Sequence, residues 1–169
     1  ERSDQTVISL CESLISNFVL FESLDPHHVQ GIAQFSSLDF VLKDSVVIRQ
    51  GDVGTTFQIL LSGRCCCYKS EKGLRKNYLV AVDPRDVRNP RTTHEIKLQR
   101  KLASRFVVGI LPGDVFGERA LLNESGRRES TIICTEDAYM LTLSREAFLT
   151  FLSDETSKLN IKMCLDVLK

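Results

Sequence analysis

Short runs of alternating apolar residues, separated by glycine turns, are the feature that most constrains the fold of this chain. Apolar side chains recur at every second position in residues 38–42 and again in residues 57–61, and glycines punctuate the sequence at positions 51, 54 and 63. A period of two is typical of β-strands, because successive side chains point to opposite faces. Short strands with glycine-containing turns at this spacing indicate a barrel or a sandwich.

Helical patterns lie on both sides of these strands. Residues 3–16 place apolar side chains on one helical stripe, and Asp25-Pro26 combines a capping residue with a proline that fits the first turn of a second helix. Ser144 is a candidate N-cap for a helix that carries Ala147, Phe148 and Leu152, and Asp154 is a candidate cap for the last one. The chain is therefore expected to be α+β, with a mainly antiparallel β core between helices.

The six cysteines do not form a disulfide or zinc pattern. They lie at positions 11, 65, 66, 67, 134 and 164, and three of them are consecutive. On a strand, Cys65 and Cys67 share one face and Cys66 points to the other, which is poor spacing for a zinc site. We expect small apolar packing residues in a reducing compartment.

Charge and length exclude several classes of protein. The chain has 169 residues and a formal net charge of zero, which gives no reason to expect nucleic acid as a partner. No apolar run is long enough to span a membrane and no signal peptide opens the sequence, so we expect a cytoplasmic domain. Residues 71–106 nevertheless contain ten Lys or Arg against four Asp or Glu. This basic stretch is either a solvated loop or a docking surface for an acidic partner or a lipid headgroup.

The densest set of constraints runs from residue 111 to residue 133. A Pro-Gly-Asp turn precedes Phe116-Gly117-Glu118, a short apolar run follows, and adjacent arginines, Arg127 and Arg128, open a β-branched strand. A glycine followed by helix-forming residues leaves backbone N–H groups free, and these groups attract an anion. An arginine can then contact the anion with a forked, charge-assisted hydrogen bond. The segment is therefore predicted to bind a phosphate.

This segment resembles the phosphate-binding cassette of cyclic-nucleotide-binding domains of the eukaryotic regulatory type, as in the cyclic-nucleotide-dependent protein kinases. The resemblance covers roughly residues 37–152, apart from a basic insertion at about 72–105. It implies a double-stranded jelly-roll barrel at 37–152, a helical segment at 1–36 and a C-terminal helix at 153–169. It also implies a ligand site formed by Phe116, Gly117, Glu118, Arg119, Ala120, Leu121, Arg127, Arg128, Glu129, Ser130 and Thr131.

Roles within that site follow from the same resemblance. Glu118 would accept a hydrogen bond from the ribose 2′-hydroxyl, backbone N–H groups near Ala120 would bind phosphate oxygens, and an arginine would neutralise the phosphate. The loop before the arginines is one residue longer than usual, so either Arg127 or Arg128 could be that ligand; Arg128 is favoured because it keeps Thr131 in register with the next strand.

Glu129 stands where the family usually has a small residue. Its carboxylate would hydrogen-bond donors on the purine, face solvent, or repel the phosphate. The C-terminal residue that would cover the purine is not assigned among Leu159, Met163 and Leu168.

The resemblance implies a regulatory module that binds cyclic AMP or cyclic GMP and passes the signal to an effector domain or subunit outside this chain. Two alternatives remain: the same fold binding a nucleoside or another purine, and an interaction module with a vestigial pocket. No catalytic residues, metal ligands or cofactors are predicted. The histidines at 27, 28 and 94 lie outside the predicted strands, and no nucleophile elbow, Walker loop or dinucleotide fingerprint is present.

Overall fold

The structure is a computed structural model that describes residues 24–70, 105–122 and 124–152, together with residues 5, 9, 12, 13, 18 and 21. The elements found there are, in chain order, α1 (Pro26–Phe35), β1 (Ser36–Val41), β2 (Val46–Ile48), β3 (Thr56–Ser62), β4 (Cys65–Lys69), β5 (Arg105–Ile110), β6 (Val115–Phe116), α2 (Arg119–Leu122), β7 (Thr131–Cys134), β8 (Ala138–Ser144) and α3 (Arg145–Leu152). Most of the predicted helix at 3–16, the insertion at 72–105 and the helix after Asp154 lie outside the described residues.

The strands form two four-stranded antiparallel sheets. The first has the order β1-β8-β3-β6 and the second has the order β2-β7-β4-β5. In the described part of the chain, the edge strands of each sheet pair on one side only, so hydrogen bonds do not close the strands into one barrel. The predicted antiparallel β core between helices is confirmed, whereas the closed barrel is not seen.

Two apolar clusters organise the core. One joins side chains of both sheets, such as Leu60 and Met140 from the first and Ile110 and Ile132 from the second. The other covers the opposite face of the first sheet, where Phe57 packs against Phe148 of α3 with ring centroids 4.9 Å apart. The inner strand β3 of the first sheet is therefore buried on both faces, and the helices lie on the side away from the second sheet.

The predicted starts of α1 and α3 are confirmed by their caps. The Asp25 side chain accepts a hydrogen bond from the backbone N–H of His27 at 2.8 Å, and Pro26 occupies the first helical turn. The Ser144 hydroxyl accepts one from the backbone N–H of Ala147 at 3.2 Å. Each cap satisfies a backbone donor that has no partner inside the helix. No helix within the described ranges is long and apolar enough to cross a membrane.

The described cysteines pack as the sequence predicts. Cys65, Cys66, Cys67 and Cys134 are buried free thiols. Cys65 and Cys67 belong to the cluster between the sheets, and Cys66 points to the other face of β4. Cys65 lies opposite Cys134 in the ladder, with the sulfur atoms 3.5 Å apart. The hydrogen bond to Cys134 and burial raise the pKa of the Cys65 thiol, so it stays protonated and behaves as a small apolar residue.

Candidate binding site

A cavity of about 340 Å³ opens between the second sheet and the segment that follows β6. Predicted site residues form one side of it: Phe116, Gly117, Glu118, Arg119, Ala120, Arg128, Glu129 and Ser130. The other side consists mainly of side chains from the strands of the second sheet: Ile48, Cys67, Lys69, Val107, Val108, Ile110 and Ile132. The cavity therefore has a polar wall opposite a largely apolar wall, an arrangement typical of small-molecule sites.

A left-handed turn at Gly117 brings the polar wall together. Gly117 has a φ of +92°, a conformation that residues with a side chain rarely adopt. The turn leads directly into α2, where the backbone N–H groups of Leu121 and Leu122 donate to the carbonyl oxygen of Glu118. The glycine of the Phe-Gly-Glu motif thus sets the direction of the Glu118 and Arg119 side chains.

Glu118 is the most buried acidic side chain at the cavity. Only 3% of the residue is exposed, and burial raises the pKa of its carboxyl above the ordinary value of 4.5. The guanidinium of Arg119 forms an ion pair with it, with Nε 3.7 Å from Oε1. A buried carboxyl that lines a cavity can accept a hydrogen bond from a ligand hydroxyl. This position agrees with the ribose contact that the resemblance implies for Glu118.

Arg128 lines the cavity from the segment that leads into β7. Its Nη1 donates to the carbonyl oxygen of Gly117 at 2.7 Å, and its Nη2 donates to the carbonyl oxygen and hydroxyl of Thr56 at 2.7 and 3.0 Å. The residue is 8% exposed, and burial lowers the pKa of its guanidinium. It forms no ion pair with any residue in the described ranges. Neutral oxygens hold the guanidinium in place through hydrogen bonds. The carboxylates of Glu118 and Asp52 act on it electrostatically, but their effect on its pKa is smaller than that of burial.

The two adjacent arginines point in different directions. Arg127 is exposed, forms a β-bridge with Val53 and donates from Nη1 to the carbonyl oxygen of Gly51 at 2.9 Å. It is not part of the described cavity lining, whereas Arg128 is. Backbone hydrogen bonds of Arg128 to Gly51 and Asp52 hold the two arginine side chains in these different directions. The geometry favours Arg128 over Arg127 as an anion ligand, although ligand contact by either residue stays a prediction.

Two other predicted site residues lie away from the described cavity lining. Leu121 is buried in the cluster that packs under α1 and α3. The hydroxyl of Thr131 accepts a hydrogen bond from the backbone N–H of Gln50 at 3.0 Å, which joins β7 to the end of β2. In this structure both residues position the segment, and direct ligand contact by Leu121 or Thr131 stays a prediction.

Glu129 pairs with two basic side chains at the mouth of the cavity. Its Oε2 lies 3.2 Å from Nη1 of Arg119 and 3.8 Å from Nζ of Lys69. About half of each basic side chain is exposed, and 38% of the Glu129 side chain is exposed. This ion pair between Glu129 and Arg119 was not predicted from the sequence.

The apolar wall was also missed by the sequence reasoning. Cys67 and Lys69 are two residues apart on β4, and Val108 and Ile110 are two residues apart on β5. The strand period therefore predicts that each pair shares one face of its strand. The pairing of β4 with β5 and β7 was needed to identify the face that meets the cassette. Within the described residues, no group of three or more His, Cys, Asp or Glu side chains is arranged to hold a metal ion.

The sequence matches a known protein family in a region that lines the cavity. A family model described as cyclic nucleotide-binding domain matches residues 95–155, which include the cassette. The regulatory subunit of cAMP-dependent protein kinase from Hypocrea atroviridis is 26% identical over 137 residues, covering 81% of this chain and 22% of that protein. This chain is therefore similar to cyclic-nucleotide-binding domains over residues 95–155.

A second curated protein extends the comparison. A cGMP-dependent protein kinase of Caenorhabditis elegans is 26% identical over 146 residues, covering 84% of this chain and 15% of that protein. The chain thus spans less than a quarter of the length of either curated relative.

Solved structures match the fold of this chain. The regulatory domain of Toxoplasma gondii PKA with cAMP has a TM-score of 0.70 at 19% identity, covering 95% of this chain and 51% of that one. The regulatory subunit of a cAMP-independent protein kinase A from Trypanosoma cruzi, bound to guanosine, has a TM-score of 0.66 at 16% identity, covering 96% and 50%.

Proposed function

We propose that this domain binds a cyclic nucleotide, cyclic AMP or cyclic GMP, and acts as a regulatory rather than catalytic module of a larger signalling protein. The observation that carries the proposal is the buried guanidinium of Arg128 at the cavity, which has only neutral oxygens as described hydrogen-bond partners. Burial disfavours the charged guanidinium by more than the carboxylates of Glu118 and Asp52 offset, and an anionic ligand in contact with Arg128 would reduce that cost. A cyclic phosphate supplies such an anion.

The remaining groups fit the other parts of a cyclic nucleotide. Glu118 is available to accept a ribose hydroxyl, and the apolar wall of Val108, Ile110 and Ile132 provides a surface for the purine. The described relatives are named for cAMP- and cGMP-dependent kinases, which supports a cyclic nucleotide but does not choose the base. Phosphate contact by Arg128 is the central element of the proposal.

The signal would pass from the cavity to the helices through α2. Ala120 lines the cavity, and the next residue, Leu121, belongs to the same apolar cluster as Ile32 of α1 and Phe148 of α3. A ligand that shifts the backbone at Ala120 therefore changes the packing of both helices. Binding shifts a two-state equilibrium only when the ligand has different affinities for the two helix arrangements.

We also infer that the two sheets form a double-stranded jelly roll, which their strand orders support. The limits at 1–36, 37–152 and 153–169, the effector outside this chain and the cytoplasmic location stay predictions. So does the role of the insertion at 72–105.

A second candidate is a site for a nucleoside or another uncharged purine. It is supported by Glu129, whose carboxylate lines the cavity directly after Arg128 and would oppose a phosphate. The T. cruzi structure with bound guanosine is also similar in fold. This alternative keeps the fold and the apolar wall and differs only in the charge of the ligand.

Isothermal titration calorimetry tests both candidates. The 169-residue chain, stripped of carried-over ligand, is titrated with cyclic AMP, cyclic GMP, adenosine and guanosine. We expect a cyclic nucleotide to bind, Arg128→Ala to weaken that binding, and Arg145→Ala, an exposed arginine outside the described lining, to leave it unchanged. Binding of a nucleoside alone would favour the second candidate. Absence of binding by all four would favour an interaction module.

A further inference from the structure

Four charged side chains form a connected group at the mouth of the cavity, and we call it the Glu129 cluster. It consists of Lys69, Glu118, Arg119 and Glu129. Arg119 is central, because its Nε lies 3.7 Å from Glu118 and its Nη1 lies 3.2 Å from Glu129. All four residues line the same cavity as Arg128. Any ligand that reaches Arg128 therefore enters the electrostatic field of this cluster.

The positions of the cluster follow from the turn and the strand register. Arg119 begins α2 directly after Glu118, on the far side of the Gly117 turn. Lys69 ends β4, and the pairing of Tyr68 with Thr131 places it beside the segment that leads into β7, where Glu129 lies. Two cations from separate parts of the chain thus converge on one carboxylate oxygen, Oε2.

The charges along the cavity are balanced. Three basic residues, Lys69, Arg119 and Arg128, face three acidic ones at Asp114, Glu118 and Glu129. Removing one cation leaves the lining with an excess of carboxylates, which opposes an incoming phosphate. Glu129 lines the same cavity as Arg128 and 38% of its side chain is exposed, so its carboxylate acts on an anion that enters the cavity.

We propose that Arg119, assisted by Lys69, determines the charge selectivity of this cavity. By pairing with Glu129, Arg119 allows a negatively charged phosphate to reach Arg128. Without Arg119, the free carboxylate favours a neutral nucleoside. The inference rests on the proposed function and adds a selectivity residue to it. Arg119 acts through Glu129 and is a positioning residue, not a direct phosphate ligand.

A double-mutant cycle tests this dependence. Arg119→Gln, Glu129→Gln and the double variant are compared with the unmodified chain by calorimetry, using the better-bound cyclic nucleotide and its parent nucleoside. We expect Arg119→Gln to weaken cyclic nucleotide binding by about three- to tenfold, as for one unit charge about 4 Å away in a water-like dielectric. Nucleoside affinity should change by less than about twofold, because a neutral ligand gains little from the missing charge.

The double variant gives the decisive result. Since Glu129→Gln removes the repelling carboxylate, the double variant should recover the affinity of the unmodified chain for the cyclic nucleotide. Arg119→Lys, which keeps the cation, should retain most of that affinity. The deficit of Arg119→Gln should also shrink at high ionic strength, because salt screens exposed charges.

Two exposed residues outside the described lining provide matched controls. Arg145→Gln and Glu136→Gln make the same changes in charge and should leave both affinities unaltered. Thermal unfolding of each variant shows that it is folded before its affinity is compared.

Three outcomes would overturn the inference. Equal weakening of cyclic nucleotide and nucleoside in Arg119→Gln would mean that Arg119 supports the pocket as a whole. Failure of Glu129→Gln to restore binding in the double variant would mean that Arg119 acts independently of Glu129. An unmodified chain that binds the nucleoside alone would mean that the Glu129 cluster does not admit a phosphate. Absence of all binding by the unmodified chain would instead overturn the proposed function itself.

Discussion

Replacing Gly117 by alanine tests whether its left-handed turn exists to accommodate the Arg128 guanidinium. A Cβ atom at Gly117 would lie 2.6 Å from Nη1 of Arg128 and 3.0 Å from the carbonyl oxygen of Thr56. The Thr56 oxygen belongs to the backbone of β3 and cannot move freely, so the guanidinium must shift. Arg128 would then lose its 2.7 Å hydrogen bond to the Gly117 carbonyl.

The magnitude follows from two contributions. A left-handed conformation costs a residue with a side chain about 1–2 kcal/mol. Loss of a hydrogen bond from a charged donor costs about 1.5–3 kcal/mol. We therefore expect Gly117→Ala to lower the free energy of unfolding by about 2.5–5 kcal/mol.

Gly51→Ala is the matched control. Gly51 has the same φ of +92°, but a Cβ atom there would meet nothing within 4 Å. Only the backbone contribution applies, so we expect a loss of about 1–2 kcal/mol and normal ligand binding.

Urea unfolding measures the stability of both glycine variants, and calorimetry with a cyclic nucleotide measures binding. Gly117→Ala should be both less stable than Gly51→Ala and weaker in ligand binding, because its Arg128 is displaced. Equal losses of stability, together with equal and normal binding, would refute the argument that Gly117 makes room for Arg128.

Four further predictions use other residues of the site. Arg128→Ala should weaken cyclic nucleotide binding by about 1.5–3 kcal/mol, the range for a hydrogen bond to a charged group. Calorimetry on Arg127→Ala should show a smaller loss of affinity. A larger loss for Arg127→Ala would assign the phosphate contact to Arg127. Glu129→Ala should alter the ratio of cyclic AMP to cyclic GMP affinity, and an unchanged ratio would remove Glu129 from purine recognition. Burial raises the pKa of Glu118 above its ordinary 4.5, so the folded state binds this proton more tightly than the unfolded state does. The protonated Glu118 carboxyl therefore contributes stability below about pH 4.5, and this contribution is lost as the pH rises through the pKa of the folded state. Over that rise, urea unfolding should show Glu118→Gln gaining stability relative to the unmodified chain. Leu121→Ala should cost about 2–5 kcal/mol of stability, as expected for a buried leucine, and a loss near zero in urea unfolding would show that α2 does not anchor the helix cluster.

The sequence predicted the described elements well where the signal was local. Asp25 and Ser144 cap helices as expected, because a capping side chain contacts a backbone group only two or three residues away. The alternation of Cys65, Cys66 and Cys67 between faces was also predicted, since it follows from the period of a strand. The prediction of a closed barrel was less successful, because it depends on pairing between strands far apart in the chain.

The candidate site divides in the same way. Phe116, Gly117 and Glu118 could be recognised from their own motif, and they do line the cavity. The opposite wall was not identified, because the face of β5 that meets the cassette depends on how the second sheet pairs. The choice between Arg127 and Arg128 could be argued only from register in the sequence, whereas the bridge between Val53 and Arg127 separates their directions.

The sequence by itself predicted the strand and helix pattern and the Phe116-Gly117-Glu118 motif, because each depends on residues within a few positions of one another. Only the tertiary structure decided that Glu129 pairs with Arg119 and Lys69. Its partner Arg119 is ten positions away and Lys69 lies on another strand, and these three side chains meet only through the register of β4 with β7. Electrostatic interaction depends on distance in space, and distance along the chain does not report it.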